Sequence, residues 1–143
     1  MKVLLINEET LTDFEVLSLI KERKDQRLHK SAMVEYAERN WMDHKILKFL
    51  TQSHSYCSTL NANCIQNFVK ELAQADLPPL STAEQLQFIN HIPTELVDIH
   101  MLIEDCAERF TEAQIDELIH IVTRTLAVEL LQRRKDQAAQ AEK

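Results

Sequence analysis

At 143 residues the chain fits one compact domain with an appended arm. It contains no glycine, which excludes phosphate-cradling loops of the dinucleotide or P-loop kind and makes tight hairpin turns hard to build. The net charge of −7 resides wholly within residues 91–120, where eight acids stand beside one base, Arg109, so this stretch repels phosphate. The composition predicts a mainly α protein. Three cysteines without a regular framework suit a reducing compartment, cytosolic or nuclear. No apolar run approaches the ~20 residues that span a bilayer, and the apolar start is too short for a secretory signal.

In chain order, Val3, Leu4, Leu5 and Ile6 suggest a short strand. A lone strand must pair with a sheet on a partner, or else lie as an extended arm on the chain's own helices. Thr12 and Glu15 form a capping box that opens a helix with Phe14, Val16, Leu17, Leu19 and Ile20 on a broad apolar face. Lys21, Arg23, Lys24, Arg27 and Lys30 accumulate toward its end, either as a solvated helix terminus or as a phosphate contact. Residues 30–40 read as a connector or a continued helix. Asn40 is the expected cap of a helix over 41–50, with Trp41, Ile46, Leu47, Phe49 and Leu50 as its apolar set. A further helix is expected from about Asn61, carrying Cys64, Ile65, Phe68, Val69 and Leu72, and ending at Leu77-Pro78-Pro79.

Three short helices then follow in residues 78–122. Ser81 with Glu84, and Thr111 with Gln114, are capping boxes, while Thr94 after Pro93 starts the middle helix. The last helix is expected to extend toward Leu131, and the tail from Arg133, without apolar period, to fray. The domain reading is an N-terminal strand-plus-helix arm over 1–30, a connector over 31–40, a bundle of about five helices over 41–131, and a flexible tail over 132–143.

Catalytic chemistry has little to stand on. His54, Cys57 and Cys64 spell H-x2-C-x6-C, but a structural zinc site needs four ligands at tighter, repeated spacing, and Cys64 shares an apolar face with Ile65 and Phe68. His100 with Glu104 and Glu117 with His120 could evoke a carboxylate-bridged metal centre, yet only one Glu-x-x-His occurs, so they read as surface pairs. No serine or cysteine nucleophile sits beside a recognisable base. The expectation is no enzyme, no metal and no cofactor.

The segment from Leu80 to Val122 resembles the C-terminal helical domain of the RNA polymerase III stalk-subunit family, which is related to the fourth subunit of RNA polymerase II and to the corresponding stalk subunit of archaeal polymerase. The resemblance is carried by LSTAE with Leu86, by Ile89-Asn90-His91-x-Pro93, by Glu108-Arg109-Phe110-Thr111, and by Gln114-Ile115 with Leu118. The stretch LTDFEVLSLIKERKDQR is similar to the family's start, and the match spans about residues 7–125. It implies a non-catalytic nuclear subunit with an HRDC-like helical domain. It further implies a heterodimer with a larger stalk subunit bearing a tip domain and an OB-fold, contacts with the polymerase core and initiation factors, and a role in transcription initiation. The interface is carried onto Val3, Leu4, Leu5, Ile6, Phe14, Leu17 and Ile20. The acidic segment argues against a strong grip on nucleic acid and leaves a weak contact with nascent RNA. No membrane and no small-molecule substrate are implied. The competing readings are a free-standing acidic helical adaptor for basic protein partners, and a metal-dependent enzyme.

Overall fold

The computed structural model describes residues 10–28, 37–52 and 56–141. Within them the chain forms α1 (Asp13–Leu28), α2 (Ala37–Leu50), a 3-10 turn (Tyr56–Thr59), α3 (Ala62–Gln74) and α4 (Thr82–His91). It continues through α5 (Leu96–Leu102), α6 (Cys106–Arg109), α7 (Glu112–Thr125) and α8 (Val128–Ala141). No strand occurs among the described residues, and the expected strand at Val3, Leu4, Leu5 and Ile6 lies outside them. The mainly α expectation therefore holds for everything described.

The capping grammar read from sequence is present in atomic detail. Thr12 Oγ1 accepts from the Glu15 N–H at 3.2 Å, and Glu15 Oε2 accepts from the Thr12 N–H at 2.8 Å. Reciprocal boxes open α4 at Ser81 and Glu84, and α7 at Thr111 and Gln114. Asn61 caps α3 by accepting from the Cys64 N–H at 2.9 Å. Each cap satisfies backbone donors that a helix N-terminus leaves without intrahelical partners.

Four boundaries differ from expectation. Asn40 lies inside α2, because the helix-favouring Ala37, Glu38 and Arg39 carry it upstream. Glu95, rather than Thr94, occupies the cap of α5 and makes no side-chain cap bond. The expected middle helix is divided into α5 and α6 by Ile103 in extended backbone and Asp105 at φ 51°. The final helix breaks at Leu126–Ala127, and α8 then runs through the tail in place of the expected fraying. That tail is rich in Ala, Gln, Arg and Lys, which favour helix without needing an apolar period.

Around α7 the main core is assembled, with α3 and α5 packed on it and α4 against α5. Phe68, Phe88, Ile99, Leu118, Ile121 and Val122 have no exposed surface, and the Phe68 and Phe88 rings stack at 6.3 Å between centroids. Ile92 ends α4 at φ 48°, a left-handed position normally given to glycine. The strain costs roughly 1–2 kcal/mol. Burial of Ile92 and the adjacent Pro93 offsets it, since a fully buried Ile contributes about 1.5–3 kcal/mol.

A smaller core joins Leu17 of α1, Leu50 of α2 and Cys57 of the 3-10 turn. Val16, Ile46 and Leu47 pack around it. At its other end α1 is tied to the main bundle, with Phe14 against the main core and the Asp13 N–H donating to Asn90 Oδ1 at 3.0 Å. Instead of projecting as a separate arm, α1 packs on the chain's own helices.

One ion pair locks the capping of α4 to α6. The Arg109 guanidinium donates to both Glu84 carboxylate oxygens, at 2.5 and 3.3 Å, and to the carbonyls of Pro79 and Glu104. The hydrogen bonds from Arg109 hold the Glu84 carboxyl below its ordinary pKa, against the opposing effect of its burial. Burial pushes the nearby Cys106 thiol upward.

Because the folded value of Glu84 is depressed, its contribution is complete above the carboxyl's unfolded pKa and disappears as pH falls through the folded one. Glu84→Gln keeps a cap acceptor but removes the charge. It is expected to lower Tm by roughly 3–6 °C at neutral pH, with the melting curves of the two proteins converging under strong acid. Thermal melts across a pH series check this; a constant difference down to the lowest pH would exclude the ion pair as the cause.

Candidate partner-binding surface

Of the residues that the sequence offers as an interface, the three described do not form a free face. Leu17 and Ile20 are buried, Phe14 is half-buried against the main core, and Val3 to Ile6 lie outside the described residues. The broad apolar face of α1 arises because the helix must pack within its own chain. Leu11 and Leu19 are the exposed apolar side chains on this part of the molecule.

The open apolar surface lies instead on α2. Ile46, Leu47 and Leu50 point toward the small core, while Trp41, Met42 and Phe49 are exposed, Phe49 by 65%. Residues 41, 45 and 49 recur at four-residue spacing and so share one side of the helix. Lys45 places its ammonium 5.3 Å from the Trp41 ring centroid, a cation–π contact along this stripe. In sequence the stripe shows only as an apolar set too wide for one buried face, with Trp41 and Phe49 grouped beside Ile46 and Leu50. A helix apolar over more than half its circumference carries two faces, and one of them needs a second partner.

A second exposed apolar group stands on α5, where Leu96, Val97 and Met101 point outward while Ile99 is fully buried. Sequence reading misses these three, because a seven-residue helix offers too few turns for a clear period. Beside them lies the acidic segment. Glu95, Glu104, Asp105, Glu108, Glu112, Asp116 and Glu117 are exposed, as expected of a solvated face.

The residues considered for metal chemistry do not converge. Cys57 belongs to the small core and Cys64 packs on the main one, while His54 lies outside the described residues. His100, Glu104, Glu117 and His120 are all exposed, and Glu117 faces Arg124 at 3.8 Å. Among the described residues no group of three or more His, Cys, Asp or Glu side chains is placed to hold a metal ion. Among them, too, no helix is long and apolar enough to cross a membrane.

Comparison with known proteins agrees with this helical architecture. A family model described as RNA polymerase Rpb4 matches residues 10–126, from just before the Thr12 capping box to Leu126, the cap that follows α7. The chain is 29% identical over 110 residues to a Dictyostelium discoideum protein named DNA-directed RNA polymerase III subunit rpc9, covering 76% of this chain and 78% of that one. It is also 29% identical over 58 residues to DNA-directed RNA polymerase III subunit RPC9 of Saccharomyces cerevisiae, covering 41% of this chain and 36% of that one. The span matched by the family model takes in nearly all of both cores, every capping box and the Glu84–Arg109 pair. The chain belongs to the RNA polymerase Rpb4 family and is a non-catalytic polymerase subunit.

Proposed function

We propose that this chain is the RNA polymerase III member of its family. In that role it forms the stalk heterodimer with a larger OB-fold-bearing subunit and supports initiation at tRNA, 5S and other small RNA genes in the nucleus. The observation that carries the reading is the similarity to two proteins named as RNA polymerase III subunits, one of them aligned over 78% of its length. The exposed stripe of α2 supports it physically, since an apolar surface with an exposed Trp and Phe is the composition of an interface core. In this reading the partner subunit covers Trp41, Met42 and Phe49, together with the N-terminal segment that includes Val3, Leu4, Leu5 and Ile6. Contacts with the polymerase core and initiation factors belong to the same reading. The exposed Lys21, Arg23 and Lys24 of α1 are among the cations that could make a weak contact with nascent RNA. Family membership sets aside the free-standing adaptor.

Affinity purification of the tagged chain from native extract tests the assignment. RNA polymerase III subunits are expected to co-purify; recovery of RNA polymerase II subunits alone would overturn it. Trp41→Glu combined with Phe49→Glu is expected to reduce partner recovery at least about tenfold, because charges would be buried in an apolar contact. Its Tm should stay close to that of the parent, since both side chains are exposed in the isolated chain. Undiminished recovery would place the partner elsewhere.

A further inference from the structure

The geometry points to a second docking site, a groove between α5 and the α6–α7 segment that accepts a short basic amphipathic segment of another protein. It lies on different elements from the α2 stripe and does not depend on the polymerase assignment. The cleft encloses about 680 Å³. Leu96 and His100 form one wall, the buried Phe110 and Ile115 contribute apolar lining, and Glu112 and Asp116 stand at the opposite side. Val97 and Met101, 63% and 80% exposed, lie on the neighbouring side of α5, outside the lining of the cleft. Three outward apolar side chains on a helix of seven residues are unusual on a solvated face, and one of them, Leu96, lines the concavity.

Charge decides the occupant. Arg109 also lines the cleft, but its guanidinium is held by Glu84 and by the carbonyls of Pro79 and Glu104. It is the sole Lys or Arg within residues 91–120, so Glu108, Glu112 and Asp116 leave the groove strongly negative. An apolar trough with an acidic border is complementary to a segment whose lysines or arginines flank a few apolar side chains. The same border repels the phosphates of a nucleic acid. It also repels a second copy of this chain, whose matching face is equally acidic.

The test titrates the isotope-labelled 143-residue chain with a synthetic leucine–lysine amphipathic peptide and follows its backbone amide signals. Shifts are expected on α5 and across residues 107–116. Leu96→Ser, and separately Glu112→Lys with Asp116→Lys, should each weaken binding at least about tenfold while leaving the remaining amide spectrum in place. A peptide with its leucines replaced by serine should bind similarly weakly. Shifts centred on α2, or affinity that ignores the loss of Leu96, would overturn the proposal. Equal shifts from a single-stranded RNA oligonucleotide, or a dimer in sedimentation that Met101→Lys dissociates, would also overturn it. Because the probe is a peptide and the chain is free, failure here leaves the polymerase reading untouched.

Discussion

Phe88→Ala is expected to lower the stability of the chain by about 3–5 kcal/mol. Phe88 and Phe68 have no exposed surface and stack on each other where α3 and α4 meet the main core. Truncating either ring loses its transfer free energy and leaves a cavity that the rigid surroundings only partly fill. Domains of this size are stable by roughly 5–15 kcal/mol in total, so the loss removes a large share. Urea unfolding followed by circular dichroism checks it: the midpoint should fall with little change in slope. A loss below ~1 kcal/mol would mean that the two rings do not sit in a close-packed core.

Leu17→Asp carries the second large effect, and it separates two accounts of α1. If this helix were an arm waiting for a partner, the substitution would weaken association and leave the isolated chain unharmed. In the structure Leu17 is 3% exposed and packs on Leu50 and Cys57. An unpaired carboxylate there is expected to cost roughly 3 kcal/mol or more, through lost apolar burial and charge desolvation together. Leu19→Asp on the same helix, at 37% exposure, should change stability by no more than about 0.5 kcal/mol. Thermal melts of the two variants give the comparison. Equal, small shifts for both would restore α1 as a free arm.

The contrast between Leu17 and Trp41 shows where sequence reading reaches its limit. Apolar period reports which face of a helix must be covered, but it is silent on whether its own chain or another chain covers it. Sequence assigns Leu17 and Ile20 to a partner, and they are covered internally; it groups Trp41 and Phe49 with Ile46, Leu47 and Leu50 in one apolar set, and those two are exposed. Both outcomes follow from the position of α2, whose inner face Ile46, Leu47 and Leu50 satisfies α1 and leaves the opposite stripe open. The α5 groove is illegible for a related reason. Its walls come from Leu96 and from Asp116, brought together only by the turn through α6.

Local physics is sufficient for the helical class, the capping boxes at Thr12, Ser81 and Thr111, the cap at Asn61, and the stop at Pro93. Hydroxyl-to-amide bonds and proline sterics act within a few residues, so their signals are written contiguously. The order of those signals is also enough to suggest the family. Tertiary structure alone decided the break between α5 and α6. Ile99, Ile103, Cys106 and Phe110 would suit one continuous apolar face, and neither proline nor glycine marks the interruption. The chain bends there with Arg109 held against Glu84, and Phe110 is buried. An ion pair across 25 residues and a buried ring outweigh the local preference for a longer helix, and no contiguous stretch of sequence records that competition.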